Sequence, residues 1–407
     1  MHYIRFLKTP KVHADASTVQ LKAVVTVTTD LGETFHPSPL ELVATIQSTR
    51  EDGDIYLHRK ITWPGNGARN LPITFDVSRP DVDWPARMHV AVRQSSSAIT
   101  PAGFLPAIVD IWSGTLDPTT GQSESGSRVE RRFTSLAGRT VSLLEDAGDS
   151  IARHLWDGSQ ALAQHIDQTI NLTTPSSLLP LLEYVLVSAT YRRLNVIELG
   201  CGCGLVGISV AQSITDCDVL LTDLPEVTEL VEANIQRMNA AIASRVRFEP
   251  LDWEKPLPTM LQSRMNDLVI VSECTYNPDT LQPLVDTLLR LLKRSPKAVI
   301  VVATKTRHES EAAFFDLIRS AGLIEEGDLR LPLPGQPGDG YADSATDVGL
   351  HVFHGREHRL SLSPRERSEE EVPKVRTGGD SDRGGKRSPV QEADAETTEQ
   401  QTMAISS

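Results

Sequence analysis

Hydrophobic and polar positions change their rhythm once along this chain. Up to about residue 116, short runs of β-branched and aromatic residues recur, several with alternating polarity. They are Leu21–Thr29, Leu42–Ile46, Ile55–His58, Ile73–Val77, Met88–Val92 and Ile108–Trp112. Turn-forming clusters such as Trp63-Pro64-Gly65-Asn66-Gly67 and Arg79-Pro80-Asp81 separate them. This spacing predicts a small β-sandwich or barrel. Residues 117–138 are polar, rich in Ser, Thr and Gly at their start, and read as a linker. Beyond them, apolar runs of strand length alternate with helical periods. Helices are expected over 155–166, 175–187, 206–213, 224–239, 280–292 and 310–321. Strands are expected over 195–199, 218–222, 246–249, 268–272, 298–303 and 348–353, the last as part of a hairpin with the region before it. Alternation of this kind predicts an α/β domain, residues 139–355, with a doubly wound, mostly parallel sheet. From residue 356 to 407 the chain loses its apolar residues and reads as a disordered tail, with Lys386-Arg387-Ser388-Pro389 as part of it.

Composition narrows the function. Over 407 residues the net charge is −14, against a main role in gripping nucleic-acid phosphates. The four cysteines, Cys201, Cys203, Cys217 and Cys274, are too few to staple a chain of this size and lack zinc-ligand spacing. They read as reduced thiols. His351 and His354 lie three apart on an expected strand and face opposite ways, so no metal site is expected. No apolar run is long enough for a membrane helix, and the first residues lack the apolar core of a signal peptide. These readings point to a monomer of the cytoplasm or nucleus.

The chemistry concentrates in Val196-Ile197-Glu198-Leu199-Gly200-Cys201-Gly202-Cys203-Gly204-Leu205-Val206-Gly207. A strand ends on an acid and a glycine loop opens a helix. Glycines let the backbone turn tightly and approach a ligand. Gly202, Gly204 and Gly207 also fit the dinucleotide fingerprint, so this loop leaves two cofactor classes open. An acid ahead of the loop suits a ligand with a positive group, such as the amino group of S-adenosylmethionine. Asp223 closes the next strand about 20 residues on, where a carboxylate accepts ribose hydroxyls in either class. Leu251-Asp252-Trp253 offers a polar group and a ring for an adenine. Ser272-Glu273-Cys274-Thr275-Tyr276 ends the 268–272 strand with an acid and an aromatic, at the edge where doubly wound sheets bind ligands.

Together with the lead-in Glu145–Ser150 and Leu155-Trp156-Asp157-Gly158-Ser159, these segments resemble the seven-strand, Rossmann-like protein-lysine methyltransferases. The resemblance covers roughly half the chain, residues 140–355. It implies S-adenosylmethionine as cofactor and a protein lysine as acceptor. It implies that Trp156 packs beside the cofactor, that Gly200, Cys201, Gly202 and Gly204 form the methionine-side loop, and that Glu198 supports that loop. Asp223 would hold the ribose, Asp252 and Trp253 would frame the adenine, and Ser272 would touch the cofactor. Glu273 would orient the acceptor amine, with Tyr276 as a wall. The family usually carries Asp where Glu273 stands, so this acid reaches one methylene further. The β-rich region has no counterpart in the short family members and reads as an accessory module that recruits the acceptor. A small-molecule N-methyltransferase, a non-catalytic scaffold and a dehydrogenase are the other readings. The dehydrogenase is disfavoured by Glu198, Trp253 and the Glu273–Tyr276 run. Lys305-Thr306-Arg307-His308, after the 298–303 strand, fits either a wall of the acceptor mouth or a solvated loop.

Overall fold

The fold was analysed in a computed structural model. It describes residues 1–356 except 15–17, 51–52, 78–81, 94–102, 149, 174–177, 190, 308–310 and 336–346. The expected tail lies, apart from Arg356, outside the described residues.

Alternating apolar positions build the N-terminal half. Ten strands run in order: β1 (His2–Ala14), β2 (Val19–Thr28), β3 (Leu40–Ser48), β4 (Ile55–Trp63), β5 (Leu71–Asp76), β6 (Ala86–Val92), β7 (Ile108–Val109), β8 (Ile111–Trp112), β9 (Arg128–Thr134) and β10 (Thr140–Asp146). They form a four-stranded sheet, β5-β2-β1-β7, and a six-stranded sheet, β10-β9-β8-β6-β3-β4. Ile4, Leu21 and Val25 of the first sheet share one apolar cluster with Leu42, Ile46 and Met88 of the second. Each sheet thus buries the face its period-2 pattern supplies.

The expected linker is corrected here. Residues 118–120 form a 3₁₀ turn capped by Asp117, and 128–134 form β9. β9 pairs antiparallel with β10 from Thr140↔Thr134 to Asp146↔Arg128, and Trp112↔Glu130 ties it to β8. A strand hides in that polar stretch because buried positions on both of its faces carry ions. Arg131 is fully buried and pairs with Glu145 at 2.7 Å, and Glu130 binds Arg87 and Arg237 at 3.1 and 2.7 Å. The β-sandwich therefore extends to Asp146, past the expected start of the second domain. Residues 1–359 form one compact unit.

The α/β half follows the predicted alternation: α1 (Asp157–Ile170), α2 (Pro180–Ser188), β11 (Leu194–Leu199), α3 (Leu205–Ser213), β12 (Cys217–Asp223), α4 (Thr228–Arg237), β13 (Arg245–Pro250), α5 (Thr259–Ser263), β14 (Leu268–Ser272), α6 (Pro278–Arg294), β15 (Val299–Thr304), α7 (Ala312–Ser320), β16 (Ile324–Pro332) and β17 (Asp347–His354). The sheet order is β13-β12-β11-β14-β15-β17-β16. β11 to β15 are parallel, and β17 runs antiparallel between β15 and β16. This is the doubly wound, seven-stranded sheet expected from the sequence. β14 and β15 are buried along their whole length, as central parallel strands must be. α6 starts where Asn277 caps the Asp279 N–H with Pro278 at the first position, and it buries Leu281, Leu284, Val285, Leu288 and Leu291.

From β11 the chain moves outward through β12 and β13, then crosses back to β14 on the other side of β11. The order reverses between β11 and β14, and a doubly wound sheet opens its ligand crevice there, at the carboxyl ends.

Candidate active site

The glycine loop leaves β11 at that reversal. Gly200, Gly202 and Gly204 have φ of 66, 52 and 83°. A Cβ on Gly200 would lie 2.4 Å from the Cys274 Sγ and 3.3 Å from the Trp253 ring, so both conformation and space require glycine there. Glu198, 2% exposed, accepts the Gly207 N–H of α3 at 2.8 Å, so it braces the loop from beneath. Burial pushes its carboxyl up to about 8. Asp223 ends β12 and accepts the Gly202 N–H at 2.8 Å and the Leu224 N–H at 2.7 Å, one on each oxygen. Burial raises it above the usual carboxylate range. Cys201, Cys203 and Cys274 are buried thiols that burial pushes well above their usual value, so they stay protonated at neutral pH.

Trp253 packs against the Gly200 loop, and its Nε1 is buried without a hydrogen-bond partner. Ser272, at the end of β14, has a buried Oγ in the same condition. Two orphaned polar atoms beside a glycine loop fit a polar ligand in the crevice, since such atoms are costly to leave unmet. The Asp252 carboxylate accepts the Glu254 N–H at 3.0 Å and pairs with the exposed Lys255 at 3.0 Å.

A second group of buried polar residues is built by the turns after β14 and β15 and by the start of α1. Glu273 has φ of 57°, a left-handed backbone that a non-glycine residue adopts only where the surroundings hold it. Its Oε1 accepts the Gly158 N–H at 2.8 Å and its Oε2 lies 2.5 Å from Arg307 Nη1. Burial pushes this carboxyl up to about 7, although Arg307 pulls it down. Trp156 precedes α1 and donates Nε1–H to the Ile151 carbonyl at 3.1 Å. The guanidinium carbon of Arg307 sits 5.5 Å from the Trp156 ring centroid. The Ala152 carbonyl lies 3.1 Å from where a Gly202 Cβ would be, so the segment leading to Trp156 borders the glycine loop. Tyr276 stands at the rim, 54% exposed.

Sequence reasoning gave no role to Asp157, Asp30 or Gly158. Asp157, fully buried, accepts the Tyr3 hydroxyl at 2.7 Å and binds Lys305 at 2.8 Å. Asp30, from the turn after β2, binds Arg307 at 2.6 Å and Lys305 at 3.4 Å. A Cβ on Gly158 would lie 2.2 Å from the Glu273 Oε1. Lys305 and Arg307 are thus not in a solvated loop, and their side chains are 7 and 16% exposed. His308 lies outside the described residues. The signal available was an unusual one, two cations directly after a buried strand. The two far-off histidines take local partners: His351 pairs with Glu325 at 2.8 Å, and His354 bonds the Gly355 carbonyl at 2.8 Å.

Residues 135–321, which hold the glycine loop, Asp223, Trp253, Ser272 and Glu273, match the family described as lysine methyltransferase. A UPF0665 family protein of Schizosaccharomyces pombe is 25% identical over 326 residues, covering 78% of this chain and 92% of that protein. That likeness is longer than the family segment, so it reaches into the flanking regions. Protein-lysine N-methyltransferase EFM2 of Saccharomyces cerevisiae is 22% identical over 45% of this chain, which spans 43% of that protein's length. EEF1A lysine methyltransferase 3 of Mus musculus is 27% identical over 49% of this chain and 80% of its own length. Residues 135–321, a little under half of the chain, are thus similar to the lysine methyltransferase family, and that segment supplies the parallel strands of the seven-stranded sheet.

Proposed function

We propose that this chain transfers a methyl group from S-adenosylmethionine to a lysine side-chain nitrogen of a protein. The observation that carries the reading is positional. The family segment brings the glycine loop, Asp223, the orphaned Trp253 and Ser272 atoms and the buried Glu273 to one sheet reversal.

The residues present fit this cofactor. Gly200, Gly202 and Gly204 leave the loop bare for the methionine end. Each Asp223 oxygen, already holding one backbone N–H, keeps a lone pair for a ribose hydroxyl. Trp253 and Ser272 supply the unmet polar atoms. When bound, the cofactor supplies an electrophilic methyl group, so the protein's main task is to hold a nucleophile in line with it. An ammonium has no lone pair, so the acceptor lysine must give up a proton. Desolvation between Trp156 and the buried turn at Glu273 favours its neutral form. With its own value near 7, the Glu273 carboxyl suits holding that amine, or its proton, at neutral pH. Tyr276 at the rim suits contact with the lysine's neighbours in an acceptor chain. A net charge of −14 favours a protein over a nucleic acid as partner.

Calorimetric titration with S-adenosylhomocysteine tests the cofactor, beside Gly202→Arg, which fills the loop. Saturable binding lost in the variant is expected. Incubating a lysate with the protein and methyl-labelled cofactor, then reading the label by mass spectrometry, tests the acceptor. Label on protein lysines is expected, and label confined to the low-mass fraction would refute the protein acceptor.

A further inference from the structure

Both oxygens of Glu273 are engaged, one by the Gly158 N–H and one by Arg307. Arg307 lies between two carboxylates, 2.5 Å from Glu273 and 2.6 Å from Asp30, with its guanidinium over the Trp156 ring. Two carboxylates and an aromatic face are what a lysine ammonium would also seek. The three charged side chains are nearly closed to water, at 7, 2 and 16% exposure for Glu273, Asp30 and Arg307.

We propose that Arg307 is an internal cation occupying the acceptor's place at Glu273, and that Asp30 of the N-terminal module controls its release. The inference rests on the acceptor-lysine reading above. On this view an incoming lysine reaches Glu273 by displacing Arg307, and Asp30 is a specificity-determining residue although it lies on the accessory module.

The energetics favour exchange over simple opening. Removing Arg307 alone would leave Glu273 buried without its cation, so its carboxyl would either stay charged and unpaired, which is strongly unfavourable, or take up a proton. Replacing it with another cation keeps the pair, so the site yields to a cationic side chain and stays shut otherwise. Neighbouring contacts localise the movement to the side chain. The Arg307 N–H donates to Glu311 at 3.1 Å and Lys305 is anchored on Asp157 at 2.8 Å, so the backbone on either side is fixed. Asp30 is equally fixed, its Oδ1 accepting the Leu31 N–H at 3.0 Å and its carbonyl accepting from Arg5 at 2.7 Å. A displaced Arg307 keeps Asp30 as its counter-ion, which lowers the cost of leaving Glu273.

The test uses the full chain and n-butylammonium, which reproduces the end of a lysine side chain, titrated by saturation-transfer NMR with and without S-adenosylhomocysteine. Arg307 competes at the effective concentration of an attached ligand, so Arg307→Ala should bind the probe about tenfold more tightly or better than the natural chain. Asp30→Asn, which takes the counter-ion from a displaced Arg307, should bind the probe more weakly than the natural chain. Adding Glu273→Gln to Arg307→Ala should abolish the gain. A folded Arg307→Ala with unimproved affinity overturns the proposal, as does a gain that survives Glu273→Gln. Should Arg307→Ala fail to fold, Asp30→Asn decides alone, and unchanged affinity there overturns it. Absent S-adenosylhomocysteine binding would count against the proposed cofactor, whereas the butylammonium result without it still reports on this site.

Discussion

Glu198→Gln isolates the burial of one acid beneath the glycine loop. The Glu198 carboxyl is 2% exposed, and desolvation, with a smaller push from Asp223, raises it to about 8 against the pull of the Gly207 N–H. An unfolded glutamate titrates near 4.5, so folding takes up a proton between those two values. The sign follows: the folded state binds more protons, so this residue's contribution is fullest below the unfolded value and declines as pH rises towards 8. The decline has a limiting slope of about 1.4 kcal/mol per pH unit, or about 3 kcal/mol by pH 7. Glutamine keeps the shape and an oxygen for the Gly207 N–H but has no proton to lose. The assay is urea unfolding of both proteins across pH 5 to 8, followed by tryptophan fluorescence. Subtracting one curve from the other cancels the carboxylates common to both. The variant should gain on the natural chain as pH rises, reaching about 3 kcal/mol near pH 7. A difference flat across that range would mean Glu198 is ionised when folded, and the argument from burial would fail.

Three further outcomes are expected. In Gly158→Ala the new Cβ meets the Glu273 Oε1 at 2.2 Å, so the loss of that hydrogen bond outweighs the helix propensity of alanine. The melting temperature should fall, by about 1–2 kcal/mol of stability, and labelled-methyl transfer should fall far more than S-adenosylhomocysteine affinity. Glu145→Gln strips the charge partner from the fully buried Arg131 and should cost about 3–5 kcal/mol in urea unfolding. Burial opposes the ionised form of Glu145, yet Arg131 and His154 hold it far below the usual range. Its stabilisation is therefore present above pH ~4.5 and lost as the solution is acidified, a loss the variant should not show. Asn234→Ala removes bonds to the Leu144 N–H, the Leu144 carbonyl and the Cys203 carbonyl at 2.7, 3.0 and 2.9 Å. It should cost about 2–4 kcal/mol and weaken S-adenosylhomocysteine binding, since Cys203 lies in the glycine loop.

What the sequence makes legible here is what local pattern encodes. The glycine loop, the acid closing β12 and the buried runs of β14 and β15 each state their conformation in a few adjacent residues. β9 was hidden because Glu130 and Arg131, neighbours on opposite faces of the strand, are both buried as ion-paired groups, and such burial leaves no periodic hydrophobic trace. β16, expected only as the hairpin partner of the last strand, was given no range for a similar reason, since Ile324–Pro332 carries three acids and one arginine and is largely half-buried or exposed. The buried cluster around Glu273 was half legible. Glu273 and Trp156 stand out by motif context, but Arg307 is 277 residues from its partner Asp30, and no local rule pairs them.

The N-terminal module is bound to the α/β half through buried polar groups, and this changes how its role is tested. Tyr3 donates to Asp157, Asp30 holds Lys305 and Arg307, and Asn234 bridges β10 to the glycine loop. The Leu155 N–H, just before α1, is taken by Glu145 of β10 at 3.0 Å. Deleting residues 1–116 would remove Tyr3 and Asp30 together, and would strip β9 and β10 of the sheet that covers Arg131. Asp157 and Lys305 would be left with part of their compensation gone, at a cost of several kcal/mol for buried charges. Lost methylation in such a truncation would report on folding as much as on recruitment. Asp30→Asn is the sharper probe, because it keeps the volume, leaves the apolar cluster between the two sheets untouched and alters only the charge shared by Arg307 and Lys305. If the module acts on the acceptor site through Asp30, a single atom's substitution should be enough to change which cations the site admits.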